Sequence, residues 1–333
     1  MSTRSSVIVV GGGVLGLAAA ADLAVAGHAV TVIDDGGVNA SRVAAGMIAP
    51  AMESLLDPVA RPHAALLRRA RDLWPAFAAR HGLALQRTTT VWVSPDAAAR
   101  AAQLQGLGFA AEASGEQLST DEDWRIEAGP ALDRLADGAT RIEDRATSVS
   151  RADGGWTVTL ARGSALSGEG LILATGVAPA LPGLPAEVAA RLAVITPIRG
   201  QIARLGQTGD GPVRRAPGVY VAPGAGGDRL GATMEAGRRD LTPEPEALAP
   251  LIATARAAFG DLAQVARIDV GLRGASPDGL PLVGGAGAPG LFLALAPRRN
   301  GWLLAPLAAE ILTAAVQGRP LPDDAAAFDP ARF

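Results

Sequence analysis

The chain alternates short, wholly apolar runs with longer alanine-rich stretches, and glycine stands at the joins. Ser6–Val10 (SVIVV) is continuous and β-branched, the pattern of a strand covered on both faces in a parallel sheet. Glycines 11–13 interrupt it, and the alanine-rich segment 14–26 predicts a helix that Gly27 ends. Ala29–Ile33 (AVTVI) predicts a second buried strand, running into Asp34 and Asp35. Together these make a β-α-β crossover of roughly thirty residues, the least such a unit needs. Further on, Leu66, Leu67, Leu73, Trp74 and Phe77 fall at helical spacing and predict one long helix over 59–83. A strand is expected at 88–93 and a helix at 95–105, whereas 106–138 is poorly patterned and predicts only a helix at 131–136.

The second half reads differently. Residues 156–161 alternate as a hairpin strand after a turn at Asp153-Gly154-Gly155, and Gly170–Ala174 (GLILA) and Leu291–Leu295 are buried strands. Segments 198–205, 219–222 and 229–233 predict one antiparallel sheet, and 265–272 a further strand. A helix is expected over 243–259 with Thr242 as its N-cap, and a closing helix over 305–316. The proline-rich stretch 179–185 reads as a crossing between domains.

The first crossover carries chemistry. Gly11, Gly13 and Gly16 form GxGxxG between a strand and a helix, around Val14 and Leu15. Gly11 permits the tight turn, Gly13 lets a pyrophosphate approach the backbone, and Gly16 lets the helix pack on the sheet. The helix start offers N–H groups and about half a positive charge to the phosphates. Asp34, about twenty residues on, suits the ribose hydroxyls. The fold class is therefore α/β, with a Rossmann-type dinucleotide-binding domain. That motif leaves NAD and FAD both open. Two later strand ends, at Ala174, Thr175 and Gly176 and at 291–301, bear on the choice, because three separated strand ends suit one extended FAD. The last helix would then aim its N-terminus at the flavin and favour the negative charge a flavin gains.

Composition narrows the chemistry. The chain has no cysteine and no lysine; all 30 Lys-plus-Arg positions are arginine. Thiolate nucleophiles, cysteine-tethered cofactors, Schiff-base chemistry and a Walker-type phosphate loop are excluded. Three histidines, His28, His63 and His81, lie scattered, so no metal site is expected. A net charge of −3 with few aromatic residues argues against nucleic acid as a partner. No apolar run is long enough for a membrane span, and the only basic residue before the first strand is Arg4, so no signal peptide and a cytoplasmic location are expected. The arginines then become candidates: Arg273 ends a strand and Arg299 begins the last helix, and a planar guanidinium fork suits a carboxylate substrate. Arg298, beside it, is expected to be solvated. Tyr220, the single tyrosine, sits in an alternating strand from which its hydroxyl would reach a substrate.

Several longer stretches resemble one family. They are 6–34 at the start, AAGMIAPAME (44–53), TPIRGQIARL (196–205), LGATMEAG (230–237), GLRGASPDGLPLVG (271–284) and RNGWLLAP (299–306). In these the chain resembles the FAD-dependent D-amino-acid oxidase superfamily, and within it is most similar to the glycine oxidases of thiamine biosynthesis (ThiO). The resemblance implies a discontinuous FAD domain (1–86, 139–192 and 270–333). It also implies a smaller α+β substrate domain (87–138 and 193–269) whose antiparallel sheet covers the flavin. It implies non-covalent FAD held by Gly11, Gly13, Val14, Leu15, Gly16, Asp34, Asp35, Ser41, Arg42, Ala44, Ala45, Gly46, Met47, Val149, Ala174, Thr175, Gly176, Arg273, Arg299, Asn300, Gly301 and Trp302. Arg273, Arg299 and Tyr220 would face the substrate, with Arg299 as the carboxylate anchor, and Met47 would lie near the flavin ring. The chain departs from the family where Ala296-Pro297-Arg298 replaces a Gly-His-aromatic stretch, and where VYVAPGAGGDRL (219–230) lacks an arginine after its proline.

The implied activity is oxidation of glycine or another small amino acid or amine to the imine, with O2 reduced to H2O2. A neutral amine needs no side-chain base, in keeping with the residues present. A dehydrogenase feeding a carrier, a flavin-binding protein without turnover and an NAD-dependent enzyme are the alternatives. A homo-oligomer is compatible with the sequence.

Overall fold

The computed structural model describes residues 5–152 and 154–333. The expected turn residue Asp153, and Arg4, lie outside the described residues. Contacts divide the chain into two compact units. The first contains the chain up to Arg42, Gly129–Pro197 and Arg273–Phe333; the second contains Val43–Ala128 and Ile198–Leu272.

The first unit is built on a sheet whose strands run, edge to edge, Leu282–Gly285, Leu291–Leu295, Gly170–Leu173, Ser6–Val10, Ala29–Asp34 and Thr140–Glu143. All neighbours are parallel except the first pair. The β-branched run of Ser6–Val10 pairs on both sides, with Val9 opposite Ile172 and Val32, and Val7 to Val10 are buried. Chain order reverses about this central strand: the next strand in sequence lies on one side and Gly170–Leu173 on the other. Such a switch point opens a crevice at the carboxyl ends of the strands. Helix Val14–Val25 packs against helix Gly301–Val316, and alanines that are almost wholly buried let the two approach. An antiparallel meander, Ala146–Ala152, Gly155–Leu160 and Ala165–Gly168, joins the same core through Trp156 and Val158. The proline-rich 179–185 stretch stays inside this unit, where Val149 N–H donates to Pro182 C=O at 2.8 Å.

The second unit holds a mixed sheet in the order Glu235–Ala236, Thr196–Leu205, Arg229–Gly231, Val219–Ala222, Val213–Ala216, Thr90–Val93, Gln117–Thr120, Glu112–Ser114. Val265–Ala275 pairs with Thr196–Leu205. The expected antiparallel trio is present, with Ile202, Gly231 and Tyr220 in register. Strand alternation splits its side chains between two faces. Ala203, Leu205, Val219, Val221 and Leu230 pack under helix Pro245–Phe259, whereas Val213, Tyr220 and Ala222 cluster with Ala45 and Met47.

Three further expectations changed. The long helix over 59–83 is Arg61–His63, Ala64–Asp72 and Trp74–His81. Pro75 has no N–H to give and its ring crowds the preceding turn, so the pattern continues while the helix breaks. The 106–138 stretch contains strands Glu112–Ser114, Gln117–Thr120 and Trp124–Ile126 before helix Ala128–Ala136. The first is wholly exposed and so has no apolar alternation to read. Helix Pro245–Phe259 takes Glu244, not Thr242, as its N-cap, because Pro245 brings its fixed φ to the first turn. The Thr242 carbonyl accepts instead from buried Arg199.

The motif stretches 196–205 and 230–237 meet through that arginine. Arg199 lies opposite Glu235 across paired strands and donates to its Oε2 at 2.7 Å. Thr233 Oγ1 donates to Glu235 Oε1 at 2.8 Å and accepts from Gln201 N–H at 2.9 Å. Burial alone would raise the Glu235 carboxyl, but the Thr233 and Arg199 hydrogen bonds hold it below the usual value.

Helix Pro50–Leu56 shows a cap supplied from a distance. Its N-cap Ala49 has no capping side chain, and buried Asp123 does the work: Oδ1 accepts from Ala51 N–H at 2.9 Å and Oδ2 from Met52 N–H at 3.3 Å. Burial pushes the Asp123 carboxyl up to about 7, against the opposing pull of Arg215 and the two N–H groups. The folded chain therefore binds this proton more tightly than the unfolded one. The contribution to stability is full below the ordinary value of 3.8 and is lost as pH rises to about 7. Asp123→Asn, which retains one oxygen acceptor, should flatten this part of the profile. Thermal midpoints measured from pH 4 to 8 should fall more steeply with pH in the parent than in the variant; parallel curves would contradict the assignment.

Candidate functional site

In the first unit the glycine motif is bent sharply. Gly11 has φ +115°, and a Cβ there would stand 2.2 Å from the Ala174 carbonyl oxygen. The close approach fixes the end of the first strand against the end of Gly170–Leu173, with Ala174 N–H donating to Val10 C=O at 2.8 Å. Gly16 is equally constrained: its Cβ would lie 2.5 Å from Gly11 O and 2.8 Å from Ala174 Cβ. Gly13 is the N-cap of helix Val14–Val25 and has no side chain to satisfy the first-turn N–H groups. A Cβ there would meet only Ser41 Oγ at 3.5 Å, so a ligand has room to approach the backbone.

Asp34 is half-buried and already works for the loop: its Oδ2 accepts from Gly12 N–H at 2.6 Å and its Oδ1 from Gly36 N–H at 3.0 Å. Each carboxylate oxygen has a second lone pair, which leaves capacity for ribose hydroxyls. Asp35 is exposed and accepts from Gly37 N–H at 3.1 Å. Ser41 joins two helix starts. Its Oγ accepts from Val14 N–H at 3.0 Å, and its carbonyl accepts from Trp302 Nε1 at 3.1 Å. Gly301, first residue of the last helix, sits so close that its Cβ would be 3.3 Å from Val14 Cγ1. Two positive helix ends thus converge beside the crevice, a setting for an anionic dinucleotide. Arg42, expected near phosphate, pairs with Asp133 at 2.5 Å on the surface. Thr175 is half-buried, and Gly176, at φ +65°, has open space about it. Val149 is a buried residue of the meander.

The two candidate arginines of this unit lie on stretches joined by backbone. Arg298 N–H donates to Gly274 C=O at 2.8 Å, and Ala275 bridges Pro297. Arg273 is half-buried, Arg299 is exposed, and Arg298, expected in solvent, is half-buried. Asn300, the N-cap of the last helix, is buried. Ala296 and Arg298 both have positive φ, +58° and +51°, so the departure from the family pattern falls on a bent loop.

In the second unit, Ala44 and Met47 are half-buried and Ala45 and Gly46 buried. Gly46 has φ +70°, and its Cβ would collide with Ile126 O at 1.9 Å, so only glycine serves there. Tyr220 is half-buried, with its hydroxyl over Gly231, whose Cβ would lie 2.8 Å from that oxygen. On the same strand face stands Arg215, opposite Tyr220 in register. Arg215 Nη2 donates to Met47 Sδ at 3.2 Å, and its Nη1 lies 3.6 Å from Glu53 Oε1. A second buried group joins Glu127 to Arg125 at 2.8 Å and to Arg229 at 2.9 Å. Neither group had a sequence signal, because each is assembled from segments far apart in the chain.

The fold and this cradle define a dinucleotide-binding oxidoreductase architecture, and known proteins specify it. The model of the FAD dependent oxidoreductase (DAO) family matches residues 6–315, and the chain belongs to that family. It is 29% identical to a glycine oxidase of Pseudomonas aeruginosa over 99% of both chains. It is 30% identical over 96% of its length to the bifunctional MnmC protein of tRNA 5-methylaminomethyl-2-thiouridine biosynthesis from Delftia acidovorans, and covers 59% of that protein. The glycine oxidase structure from Geobacillus kaustophilus superposes with a TM-score of 0.81 at 24% identity, over 99% of each chain. FAD is thus the cofactor, and the open Gly13 backbone, the Asp34 carboxylate and the paired helix starts fit it. Among the described residues, no helix is long and apolar enough to cross a membrane.

Gly11→Ala should cost about 1–3 kcal/mol in backbone strain alone, besides the collision with Ala174 O. The purified variant should lose most of its bound FAD, read as the ratio of flavin to protein absorbance. Full flavin content would show that the turn does not depend on glycine.

Proposed function

We propose that this chain oxidises glycine or another small amino acid to its imine and passes the electrons to O2, giving H2O2, as a cytoplasmic step toward the thiamine thiazole. Full-length similarity to the Pseudomonas glycine oxidase supports the amine substrate, and likeness to the bifunctional ThiO/ThiG protein of Synechocystis, 26% identical over the whole chain, supports the thiamine context. The observation that carries the reading is the backbone pairing of Arg273-Gly274-Ala275 with the loop that enters the last helix. That pairing joins the backbone stretch of a strand-end arginine to that of a helix-start arginine, which supports their acting on one substrate.

FAD in the cradle supplies the two-electron acceptor for the Cα–H bond. Arg273 and Arg299 bind the substrate carboxylate. A carboxylate held by a guanidinium fork fixes the orientation of Cα, and orientation supplies a large part of such a rate. The amine is bound neutral, and its lone pair assists departure of the Cα hydrogen, so no side-chain base takes part. A secondary amine is the second reading, favoured by the loss of the family's histidine and aromatic at Ala296-Pro297-Arg298.

Purified protein should be yellow, and glycine should bleach it under anaerobic conditions. Bleaching by sarcosine or another N-substituted glycine in place of glycine would favour the second reading, and bleaching by no amine would overturn both. Arg273→Ala should weaken the use of carboxylate substrates by about 2–5 kcal/mol if the pair is desolvated, read as a fall in kcat/KM with flavin content unchanged.

A further inference from the structure

Arg215 spends a buried charge on an unusual acceptor. Its side chain is 3% exposed, and Nη2 donates to a thioether, Met47 Sδ, at 3.2 Å. Sulfur of this kind is a weak acceptor, while a buried guanidinium ordinarily requires oxygen partners. Its carboxylate neighbour, Glu53, lies at 3.6 Å from Nη1, and Arg215 Nε has no hydrogen-bond partner among the described residues. The guanidinium is held in place from its own strand, which pairs Arg215 with Tyr220 on one side and Trp92 on the other. Met47 is fixed from the backbone, through pairing with Arg125 and through the collision that forbids a side chain at Gly46.

We propose that Arg215 shields the Met47 thioether from oxidation by peroxide. The inference rests on the reading that this chain makes H2O2, a product that a half-buried thioether such as that of Met47 can meet. In the reaction, the sulfur lone pair attacks one peroxide oxygen, an S–O bond forms, the O–O bond breaks, and the second oxygen leaves as water with both protons; methionine becomes its sulfoxide. Sulfur gains positive charge on the way. A guanidinium beside it opposes that charge, and its N–H engages the lone pair that must attack. Loss of the thioether to a polar sulfoxide would disturb the apolar cluster of Ala45, Val213, Ala222 and Tyr220.

The test adds H2O2 to the FAD-loaded protein and follows sulfoxide formation by peptide mass mapping. Met234, 41% exposed, reports unprotected reactivity, and Met52, fully buried, reports global opening. In Arg215→Gln, oxidation of Met47 relative to Met234 should rise roughly fivefold or more, the scale of one charge-assisted hydrogen bond. Arg215→Lys, which keeps a cation near the sulfur, should stay close to the parent and so separate charge from simple exposure. If Arg215→Gln does not fold, Glu53→Gln with Arg215→Gln removes both charges together and reads the same ratio. A Met47 to Met234 ratio unchanged in the Gln variant, or equally raised in the Lys variant, overturns the shield. Because peroxide is supplied from outside, the outcome is independent of whether amines yield it; oxygen uptake tests that separately.

Discussion

The cofactor cradle depends on a single close approach. Gly11 turns out of the central strand so close to the Ala174 carbonyl that no side chain would fit. That contact sets the separation of two strand ends, and with it the direction in which helix Val14–Val25 departs. Gly16, packed on the same carbonyl strand, then brings the helix down onto the sheet. Asp34 closes the arrangement by accepting from Gly12 N–H, so one carboxylate both shapes the loop and remains available to a ribose. The second helix start at Gly301 is drawn to the same place by Trp302 and Ser41. Backbone packing thus presents the two helix starts together, while Arg42 is paired with Asp133.

Arginine solves a different problem in the second unit. Its interior contains Arg199, Arg215, Arg125 and Arg229, all buried or nearly so. A lysine offers three donors from one point, whereas the guanidinium spreads five around a plane and reaches acceptors on several segments at once. Arg199 touches Glu235, the Asp240 carbonyl and the Thr242 carbonyl in that way. The similarity of stretches 196–205 and 230–237 to a family thus has a structural reason besides any catalytic one: they supply the two halves of one buried ion pair. A chain without lysine is well suited to such a core.

What the sequence made legible follows from the range of each signal. The β-α-β crossover and the buried strands at 170–173 and 291–295 are local and strongly patterned, and they stand where expected. The antiparallel trio was also readable from alternation. The exposed strand at 112–114 and the broken helix at 61–81 were not, since the first has no apolar face and the second keeps its spacing through a proline break. In the site, glycines could be read because a backbone constraint is written at the residue itself. Asp123 capping a helix 72 residues away, and Arg215 meeting Met47 across 168, leave no mark that a single sequence displays.

The loop before the last helix shows where these two kinds of information meet. Ala296 and Arg298 both occupy left-handed conformations, which cost energy for residues with a Cβ and persist only when the surroundings dictate them. Here the surroundings do: Arg298 N–H is bound to Gly274, Pro297 bridges Ala275, and Gly274 has no space for a side chain beside Ala296 and Ile195. The path of the loop is therefore fixed by pairing with the Arg273 stretch, independently of which side chains it carries. A family pattern can be lost at 296–298 while the helix start at Gly301 keeps its position. The replacement of a Gly-His-aromatic stretch by Ala296-Pro297-Arg298 falls on the segment that pairs with the Arg273 stretch.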